Sequence, residues 1–290
     1  MVYFWGFIVA NIIGLASGIL ITRTGGDAPY AYIIDDTSSA AFMAYSLRQL
    51  SSTYSGFAVE VTRDSDSTSQ DIGFVDNQLD TASIESFCSG TTGRVSIWYD
   101  QSGNSRDAVQ GTLADMPIVY TGGAIVTSSS KPSVLYNTNS MVLAYGHGGG
   151  NISTDFSTQM VASPTGASTT GHLIEGYNGG YWSIRQENSD LGYYGPSGSD
   201  TGSYVLSSGT AFIAQYDLLT DLEDFAYVND SFDASLANGD AGLRSINIGS
   251  NAFSFLSFAG KISEVIVWNF LSIDDRGATF ENINNFYGVY

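Results

Sequence analysis

The sequence has 290 residues, enough for one large domain or two modest ones, and its net charge is −19 because 29 acidic residues outnumber 10 Lys and Arg. A surface this acidic repels phosphate backbones, which excludes nucleic-acid binding driven by charge. Hydrophobic residues make up 43% and charged residues only 13%, which excludes a disordered chain. The single cysteine, Cys88, excludes an intramolecular disulfide and a paired-cysteine zinc site.

The first 25 residues form an apolar segment with three alternative interpretations. Residues 2–21 carry no charge over 20 positions, which is the length of a membrane-spanning helix. Two strands, about residues 2–9 and 18–22, fit the same sequence and would dock the domain onto a neighbouring protein. A cleaved export signal is the third alternative, although no Lys or Arg precedes the apolar run. We expect residues 1–25 to anchor or assemble the protein and residues 26–290 to form one domain.

Two helices are predicted in the first part of that domain. The first follows the N-cap residues at positions 36–39 and would end near Ser55. Its apolar positions repeat at helical spacing, at Met43, Leu47, Leu50 and Tyr54. The second is short, with Asp80 as its N-cap and its buried positions at Ile84, Phe87 and Cys88.

Short strands dominate the rest of the chain, separated by Gly, Ser, Asn and Asp clusters. They are predicted at residues 57–63, 95–99, 134–136, 180–185, 204–206, 211–216, 225–228, 245–248 and 261–268. A last helix is expected after the capping box Ser272–Asp275, with an apolar face formed by Phe280, Ile283 and Tyr287. Many short strands punctuated in this way predict an all-β fold, a β-sandwich or jelly roll.

One predicted loop is unusually rich in polar side chains. It follows the strand at 95–99 and contains Asp100, Gln101, Ser102, Asn104 and Asp107. Carboxylate and amide oxygens can bind sugar hydroxyls or a Ca²⁺ ion. The same side chains can instead hydrogen-bond the backbone of their own turn. Both interpretations stay open at this point.

Residues 44–110 resemble the N-terminal part of the catalytic domain of family-54 α-L-arabinofuranosidases, and the stretch Tyr-Asp-Gln-Ser-Gly-Asn at 99–104 is the most specific part. Residues 260–290 resemble the last strand and helix of laminin-G-like jelly rolls, which also occur in bacteriophage tail, fibre and capsid-decoration proteins. The resemblance implies a concanavalin A-like β-sandwich with two or three short peripheral helices.

The same resemblance implies where catalytic residues would lie. The family's nucleophile is a Glu before Asn after a Trp-bearing strand. Residues 182–188, from Trp182 to Asn188, fit this pattern with a one-residue gap, which makes Glu187 the candidate nucleophile. The family's acid/base is an Asp after an Ile-Gly-Gly turn, and here the turn at 248–250 leads to Asn251. The family's vicinal cysteines correspond to Gly-His at 171–172. Because an amide cannot donate a titratable proton, and losing a general acid costs about 10²–10⁴-fold, the sequence favours a protein without catalytic activity.

Other candidate site residues have alternative interpretations. Metal ligation by His147 or His172 is not expected, because neither has a partner His or Cys in sequence. The acidic stretch 217–224 is predicted to be a solvated turn, with Ca²⁺ binding as the alternative. Four aromatic residues could stack on sugar rings or equally fill the core: Tyr181, Trp182, Tyr193 and Tyr194.

The leading hypothesis from the sequence is a structural or attachment protein of a virion or cell surface that displays a non-catalytic, carbohydrate-binding jelly roll. Its predicted sugar-binding residues are Asp100, Gln101, Asn104, Trp182, Glu187 and Asn251. No cofactor is expected, with a bound Ca²⁺ ion as the alternative. The protein would bind virion or surface proteins through residues 1–25, contact cell-surface glycans, and form a homo-oligomer. Two alternatives remain: a membrane-anchored carbohydrate-binding domain, and an arabinofuranosidase-like glycoside hydrolase that uses Glu187.

Overall fold

The protein is described here from a computed structural model, which places most of the domain. The described residues are 32–137, 143–146, 155–166, 170–177, 181–195, 198–219, 223–236, 243, 245–251 and 256–290. The predicted apolar segment at 1–25 therefore lies outside the described residues, as does His147.

Strands dominate the described part of the chain, as the sequence predicts. Their bounds are β1 (Ala41–Ser46), β2 (Val59–Arg63), β3 (Ser69–Ile72), β4 (Phe74–Val75), β5 (Gln78–Leu79), β6 (Gly93–Trp98), β7 (Ala108–Val109), β8 (Ile118–Thr121), β9 (Ala124–Ile125), β10 (Thr127–Ser128), β11 (Lys131–Pro132), β12 (Val134–Tyr136), β13 (Leu143–Gly146), β14 (Phe156–Pro164), β15 (Gly171–Tyr177), β16 (Tyr181–Glu187), β17 (Asp190–Gly195), β18 (Gly198–Val205), β19 (Phe212–Leu218), β20 (Asp224–Val228), β21 (Ser231–Leu236), β22 (Ser245–Ile248) and β23 (Gly260–Trp268). The α-helices are α1 (Thr81–Phe87) and α2 (Ile273–Tyr287), and a 3₁₀ turn spans Leu113–Asp115. The predicted all-β fold is confirmed.

The strands form two antiparallel layers. The back layer runs β1–β23–β14–β19–β20–β21. The front layer runs β3–β2–β6–β7–β13–β22–β15–β16–β17–β18. Strands β8 and β12 connect the two layers at one side, because β8 pairs with β6 and β12 pairs with both β8 and β23. The main hydrophobic core lies between the layers, as in a β-sandwich.

The helix predicted to follow positions 36–39 and to end near Ser55 is wrong. Residues Ala41–Ser46 instead form β1, and all six are buried. Met43 and Tyr45 face the core between the layers, while Ala44 packs in a second cluster with α2. A strand buried on both faces shows a continuous apolar run, which the spacing of hydrophobic residues does not distinguish from a helix.

Helix α2 covers the outer face of the back layer and confirms the prediction for the end of the chain. Ser272 caps it by accepting a hydrogen bond from the Asp275 N–H at 3.1 Å. The predicted apolar residues Phe280, Ile283 and Tyr287 are buried against the sheet. The shorter α1 is also confirmed, since Asp80 caps it by accepting from the Ser83 N–H at 3.0 Å. No helix among the described residues is both long and apolar enough to cross a membrane.

The front layer has one face in the core and one face directed outward, because successive side chains in a strand point to opposite sides. In β16, Trp182 and Ile184 are fully buried in the core, whereas Arg185 and Glu187 are only partly buried. The outward face of β15–β18 therefore collects the polar side chains that form the candidate site.

Candidate active site

Glu187 lies at the end of β16, where the chain turns back into β17. The turn residue Asn188 has a φ of +56°, a left-handed conformation that Asn tolerates better than most residues. The pairing of Glu187 with Asp190 leaves two residues in this hairpin turn. The Glu187 side chain remains 20% exposed, so a ligand can reach its carboxylate.

Three neighbouring strands hold the Glu187 carboxylate. Its Oε1 accepts a hydrogen bond from the Tyr194 hydroxyl at 2.5 Å and contacts Nη2 of Arg185. Its Oε2 accepts a hydrogen bond from Oγ1 of Thr201 at 3.2 Å. Hydrogen bonds to a charged acceptor are stronger than neutral ones, so these donors fix the orientation of the carboxylate.

Two further contacts shape this carboxylate cradle, which we define as Arg185, Gly192, Tyr194 and Thr201 around Glu187. The guanidinium of Arg185 stacks on the Tyr194 ring, with its central carbon 3.4 Å from the ring centroid. A Cβ atom at Gly192 would lie only 2.8 Å from Cγ and Cδ of Glu187. Glycine therefore leaves the space that the Glu187 side chain occupies.

His172 lies on the neighbouring strand β15, directly opposite Arg185 in the pairing of β15 with β16. Its Nδ1 is 3.4 Å from Oε2 of Glu175, and both side chains are less than 10% exposed. Burial lowers the pKa of His172 to about 4, and the positive charge of Arg185 acts in the same direction. The imidazole is therefore neutral at pH 7.

Asn251 approaches the same strand from the other side. Its Oδ1 accepts a hydrogen bond from the Leu256 N–H at 3.4 Å, and the Leu256 carbonyl accepts one from the His172 N–H at 2.9 Å. The start of β15 thus lies between Asn251 and the end of β16, where Glu187 lies. Glu187, Asn251 and the Gly-His pair at 171–172 therefore lie at or just beyond the ends of three neighbouring strands, β16, β22 and β15.

The polar loop at Asp100 does not join this region. The Asp100 carboxylate accepts hydrogen bonds from the N–H groups of Ala44, Ser102 and Arg106 at 2.9–3.0 Å. Five strand intervals separate β6, which precedes the loop, from β16, a distance of about 24 Å at ~4.8 Å per interval. The fold therefore does not place Asp100 beside Glu187.

The other two loop residues predicted to bind sugar also serve the backbone. Gln101 is buried, accepts from the Leu50 N–H at 2.8 Å, and donates to two carbonyl oxygens at 3.0 Å. The Asn104 amide donates to the carbonyl oxygens of Ala41 and Phe42 at 3.1 and 3.0 Å. These contacts favour the interpretation of the loop as a structural tie between β6 and β1.

The four aromatic residues divide between the two interpretations left open by the sequence. Trp182 and Tyr193 are fully buried, so the prediction that Trp182 binds sugar is wrong. Tyr181 is 45% exposed, and Tyr194 belongs to the cradle. Alternation along β16 and β17 explains the division, because neighbouring residues point to opposite faces.

The prediction of a solvated acidic turn at 217–224 is wrong at both ends of the stretch. Asp217 and Asp224 are 7% and 0% exposed, and burial raises the pKa of each to about 6. Residues 220–222 lie outside the described residues. Within the described ranges, no group of three His, Cys, Asp or Glu side chains is arranged to hold a metal ion.

Three residues of this region are not evident from the sequence motifs: Glu175, Gly192 and Thr201. Gly192 could have been found from the two-residue turn, because that turn pairs position 185 with position 192. The place of Thr201 opposite Gly192 depends on the next hairpin and its irregular register. No sequence signal shows the bulge in β15 that places His172 beside Glu175.

Comparison with known proteins supports an arabinofuranosidase-like fold. A family model described as the catalytic part of α-L-arabinofuranosidase B matches residues 32–146. That match includes the Asp100 loop and ends before Glu187. A comparison with curated proteins gave no significant match.

Three solved structures are similar to the chain over 87% of its length. One is a Glu-to-Gln mutant of a family-54 α-L-arabinofuranosidase soaked with 4-nitrophenyl α-L-arabinofuranoside, at 17% identity and a TM-score of 0.70. A family-54 enzyme soaked with a cyclic sulfate inhibitor has 19% identity and a TM-score of 0.65. An arabinofuranosidase complexed with arabinofuranosyl-α-1,2-xylobiose has 17% identity and a TM-score of 0.63. The chain spans 64% of the length of each of these proteins.

These matches overturn the leading hypothesis from the sequence. The matching family model is that of a catalytic domain, and the similar structures are arabinofuranosidases. The predicted non-catalytic virion or attachment protein, with its bacteriophage, tail-fibre and capsid-decoration context, is therefore wrong. The glycoside-hydrolase alternative is the better supported one. The chain has a family-54 α-L-arabinofuranosidase-like β-sandwich fold.

Proposed function

We propose that the protein is a glycoside hydrolase that acts on α-L-arabinofuranosides, with Glu187 as its nucleophile. The observation that carries the proposal is the cradle: a partly exposed carboxylate held by Tyr194, Thr201 and Arg185. It lies on a sandwich whose fold and family match are those of arabinofuranosidases. The predicted glycan partners fit this activity, whereas the homo-oligomer and the extracellular location stay predictions.

The cradle suits nucleophilic attack because it orients the carboxylate without using all of its lone pairs. Oε1 has two partners, whereas Oε2 accepts one hydrogen bond at 3.2 Å. Oε2 is therefore the oxygen available to attack the anomeric carbon. In a retaining mechanism this attack forms a glycosyl ester and breaks the bond to the leaving group. Holding the attacking atom in place lowers the entropic part of the barrier.

The choice of substrate for a first test follows from Asn251. An amide at the position of the family's acid cannot protonate a departing sugar oxygen. A 4-nitrophenolate leaving group depends much less on protonation, because it is stable as an anion. Hydrolysis of 4-nitrophenyl α-L-arabinofuranoside therefore tests the role of Glu187 without a requirement for a general acid.

The experiment compares the full chain with Glu187→Gln and with Glu85→Gln, a matched change at an exposed position in α1. We expect the unmutated protein to release 4-nitrophenolate, Glu187→Gln to lose at least about 10³-fold in kcat/KM, and Glu85→Gln to keep full activity. The proposal is overturned if the unmutated protein releases no nitrophenolate above background, or if Glu187→Gln remains as active as the control.

A further inference from the structure

We propose that His172, oriented by Glu175, is the proton donor and acceptor of this site, in the role that the amide of Asn251 cannot fill. This inference rests on the proposed glycosidase activity. A β-bulge, the register of β15 against β16 and the groups around the imidazole support this role of His172.

A bulge in β15 places His172 on the outward face. In a regular strand, residues 172 and 175 would point to opposite faces, because side chains alternate. The register of β15 against β16 shifts between His172 and Ile174, and both Leu173 and Ile174 are buried in the core. His172 and Glu175 therefore share the outward face. Bulges of this kind often reorient a side chain next to an active site.

The register also sets His172 diagonally across from Glu187. His172 is paired with Arg185, and Glu187 is two residues further along the same face of β16. Such diagonal neighbours have Cβ atoms roughly 7–8 Å apart or slightly less, close enough for long and aromatic side chains to interact. The Glu187 carboxylate lies on the far side of this diagonal, over Gly192 on β17 and beside Thr201 on β18. A substrate that reaches both the imidazole and the carboxylate therefore has to lie across β16, above Arg185.

The surroundings of the imidazole favour a role in proton transfer. Nδ1 of His172 is buried and makes no hydrogen bond in this conformation, although Glu175 Oε2 lies 3.4 Å away. Contacts between catalytic groups are often long in the free protein and shorten when substrate binds. Glu175 would then accept a hydrogen bond from Nδ1–H and stabilise the imidazolium, so it is a positioning residue.

The charged groups around His172 come from two strands. Glu175 lies on its own strand, and Arg185 and Glu187 lie on β16. On the side of β15 away from β16, Leu256 and Ser257 contact the backbone of His172. The described residues on that side, 249–251 and 256–258, carry no ionisable side chain. Burial and Arg185 keep the imidazole neutral near pH 7, so it becomes an acid only in acidic solution, as its pKa of about 4 indicates.

The proposed reaction has two steps. Glu187 Oε2 attacks the anomeric carbon, the bond from that carbon to the leaving oxygen breaks, and the His172 imidazolium gives its proton to the leaving oxygen. In the second step, neutral His172 removes a proton from a water molecule, whose oxygen attacks the anomeric carbon. The ester bond to Glu187 then breaks, which restores both the carboxylate and the imidazolium.

The test compares two substrates of the full chain. One is 4-nitrophenyl α-L-arabinofuranoside, and the other is an arabinofuranosyl xylo-oligosaccharide, whose leaving alcohol needs a proton. For His172→Gln we expect kcat/KM to fall about 10²–10⁴-fold on the oligosaccharide and less than about 10-fold on the nitrophenyl substrate. For Glu175→Gln we expect a shift of the pH profile to lower pH with KM unchanged. Ser183→Ala, opposite Glu175 in the sheet, serves as control.

The outcomes separate the two proposals. If the unmutated protein cleaves neither substrate, the glycosidase function and the role of His172 both fail. If it cleaves both in a Glu187-dependent manner and His172→Gln loses the same factor on each, only the inference about His172 fails. If His172→Gln does not fold, the pKa of His172 is measured instead from its ¹⁵N imidazole signals in the unmutated protein and in Glu187→Gln. A lower pKa of His172 in Glu187→Gln supports the inference, and an unchanged pKa overturns it.

Discussion

Gly192 lies directly against the side chain of Glu187, because an added Cβ would be 2.8 Å from both Cγ and Cδ of that residue. In Gly192→Ala the Glu187 side chain has to move, while the backbone of β17 can stay in place. A displacement of about 1 Å at a reacting atom can cost about 10²-fold in rate. We expect kcat on 4-nitrophenyl α-L-arabinofuranoside to fall about 10- to 100-fold in this variant.

The matched control for this prediction is Gly198→Ala. Gly198 lies at the start of the next strand, and an added Cβ there would meet no atom within 4 Å. Thermal unfolding of both variants should resemble that of the unmutated protein. Equal activity of the two variants would contradict the account of Gly192 as part of the cradle.

The Asp100 loop provides a second prediction. The Asp100 carboxylate accepts hydrogen bonds from three backbone N–H groups and from the Ser102 hydroxyl. In Asp100→Asn, the new NH₂ group faces one of these donors, so that donor loses its acceptor. We expect the free energy of unfolding, measured in urea, to fall by about 1–3 kcal/mol. Activity on the nitrophenyl substrate should be unchanged at a temperature where the variant is folded. A loss of sugar binding without a loss of stability would contradict the structural role.

Neighbouring aromatic residues on β16 provide a third prediction. Trp182 is fully buried and packs against Phe156 with ring centroids 5.1 Å apart, whereas Tyr181 is 45% exposed. Trp182→Ala should lower the free energy of unfolding by about 3–5 kcal/mol. Tyr181→Ala should change it by less than about 1 kcal/mol. Urea denaturation of both variants checks this, and similar midpoints would contradict the assignment of Trp182 to the core.

The fourth prediction concerns pH and Asp217. Burial raises the pKa of this carboxyl to about 6, although a hydrogen bond from Gln215 at 2.7 Å opposes the change. A carboxyl whose pKa is higher in the folded than in the unfolded chain binds its proton more tightly when folded. Its stabilising effect is therefore complete below the unfolded value of about 4 and is lost as the pH rises through 6.

The measurement is urea denaturation from pH 4 to 7. The unmutated protein should lose about 2–3 kcal/mol more stability over this range than Asp217→Asn, at about 1.4 kcal/mol per pKa unit. Asp76→Asn, a change at an exposed turn, should follow the unmutated protein. Parallel curves for Asp217→Asn and the unmutated protein would contradict this assignment.

Much of the fold could be predicted from the sequence because local signals carry it. The caps at Asp80 and Ser272 and the predicted strands β6, β12, β16 and β22 depend on neighbouring residues alone. The prediction of a helix over β1 was wrong because that strand is buried on both faces, by the core on one side and by α2 on the other. Its apolar run has no alternation that could distinguish it from a helix.

The candidate site could be predicted only in part. Glu187 was found through a family resemblance, and the register of its hairpin follows from a short turn. The approach of His172 to Glu175 depends on the bulge at Leu173. The bulge puts the His172 side chain on the same face as Glu175, whereas regular alternation would put it on the opposite face. Asp100 and Glu187 carry similar chemistry in the sequence, but only the order of strands shows that they lie far apart. Such relations depend on tertiary structure, which composition and spacing do not encode.

The central claim is that Glu187 is the nucleophile of an α-L-arabinofuranoside hydrolase, and covalent labelling tests it most directly. A cyclic sulfate of arabinofuranose configuration is an electrophile that alkylates a carboxylate nucleophile. The account predicts one adduct per chain, located on Glu187 by peptide mass spectrometry, loss of nitrophenolate release in step with labelling, and no adduct on Glu187→Gln. An unlabelled protein, or an adduct on another carboxylate that forms equally in Glu187→Gln, would contradict it.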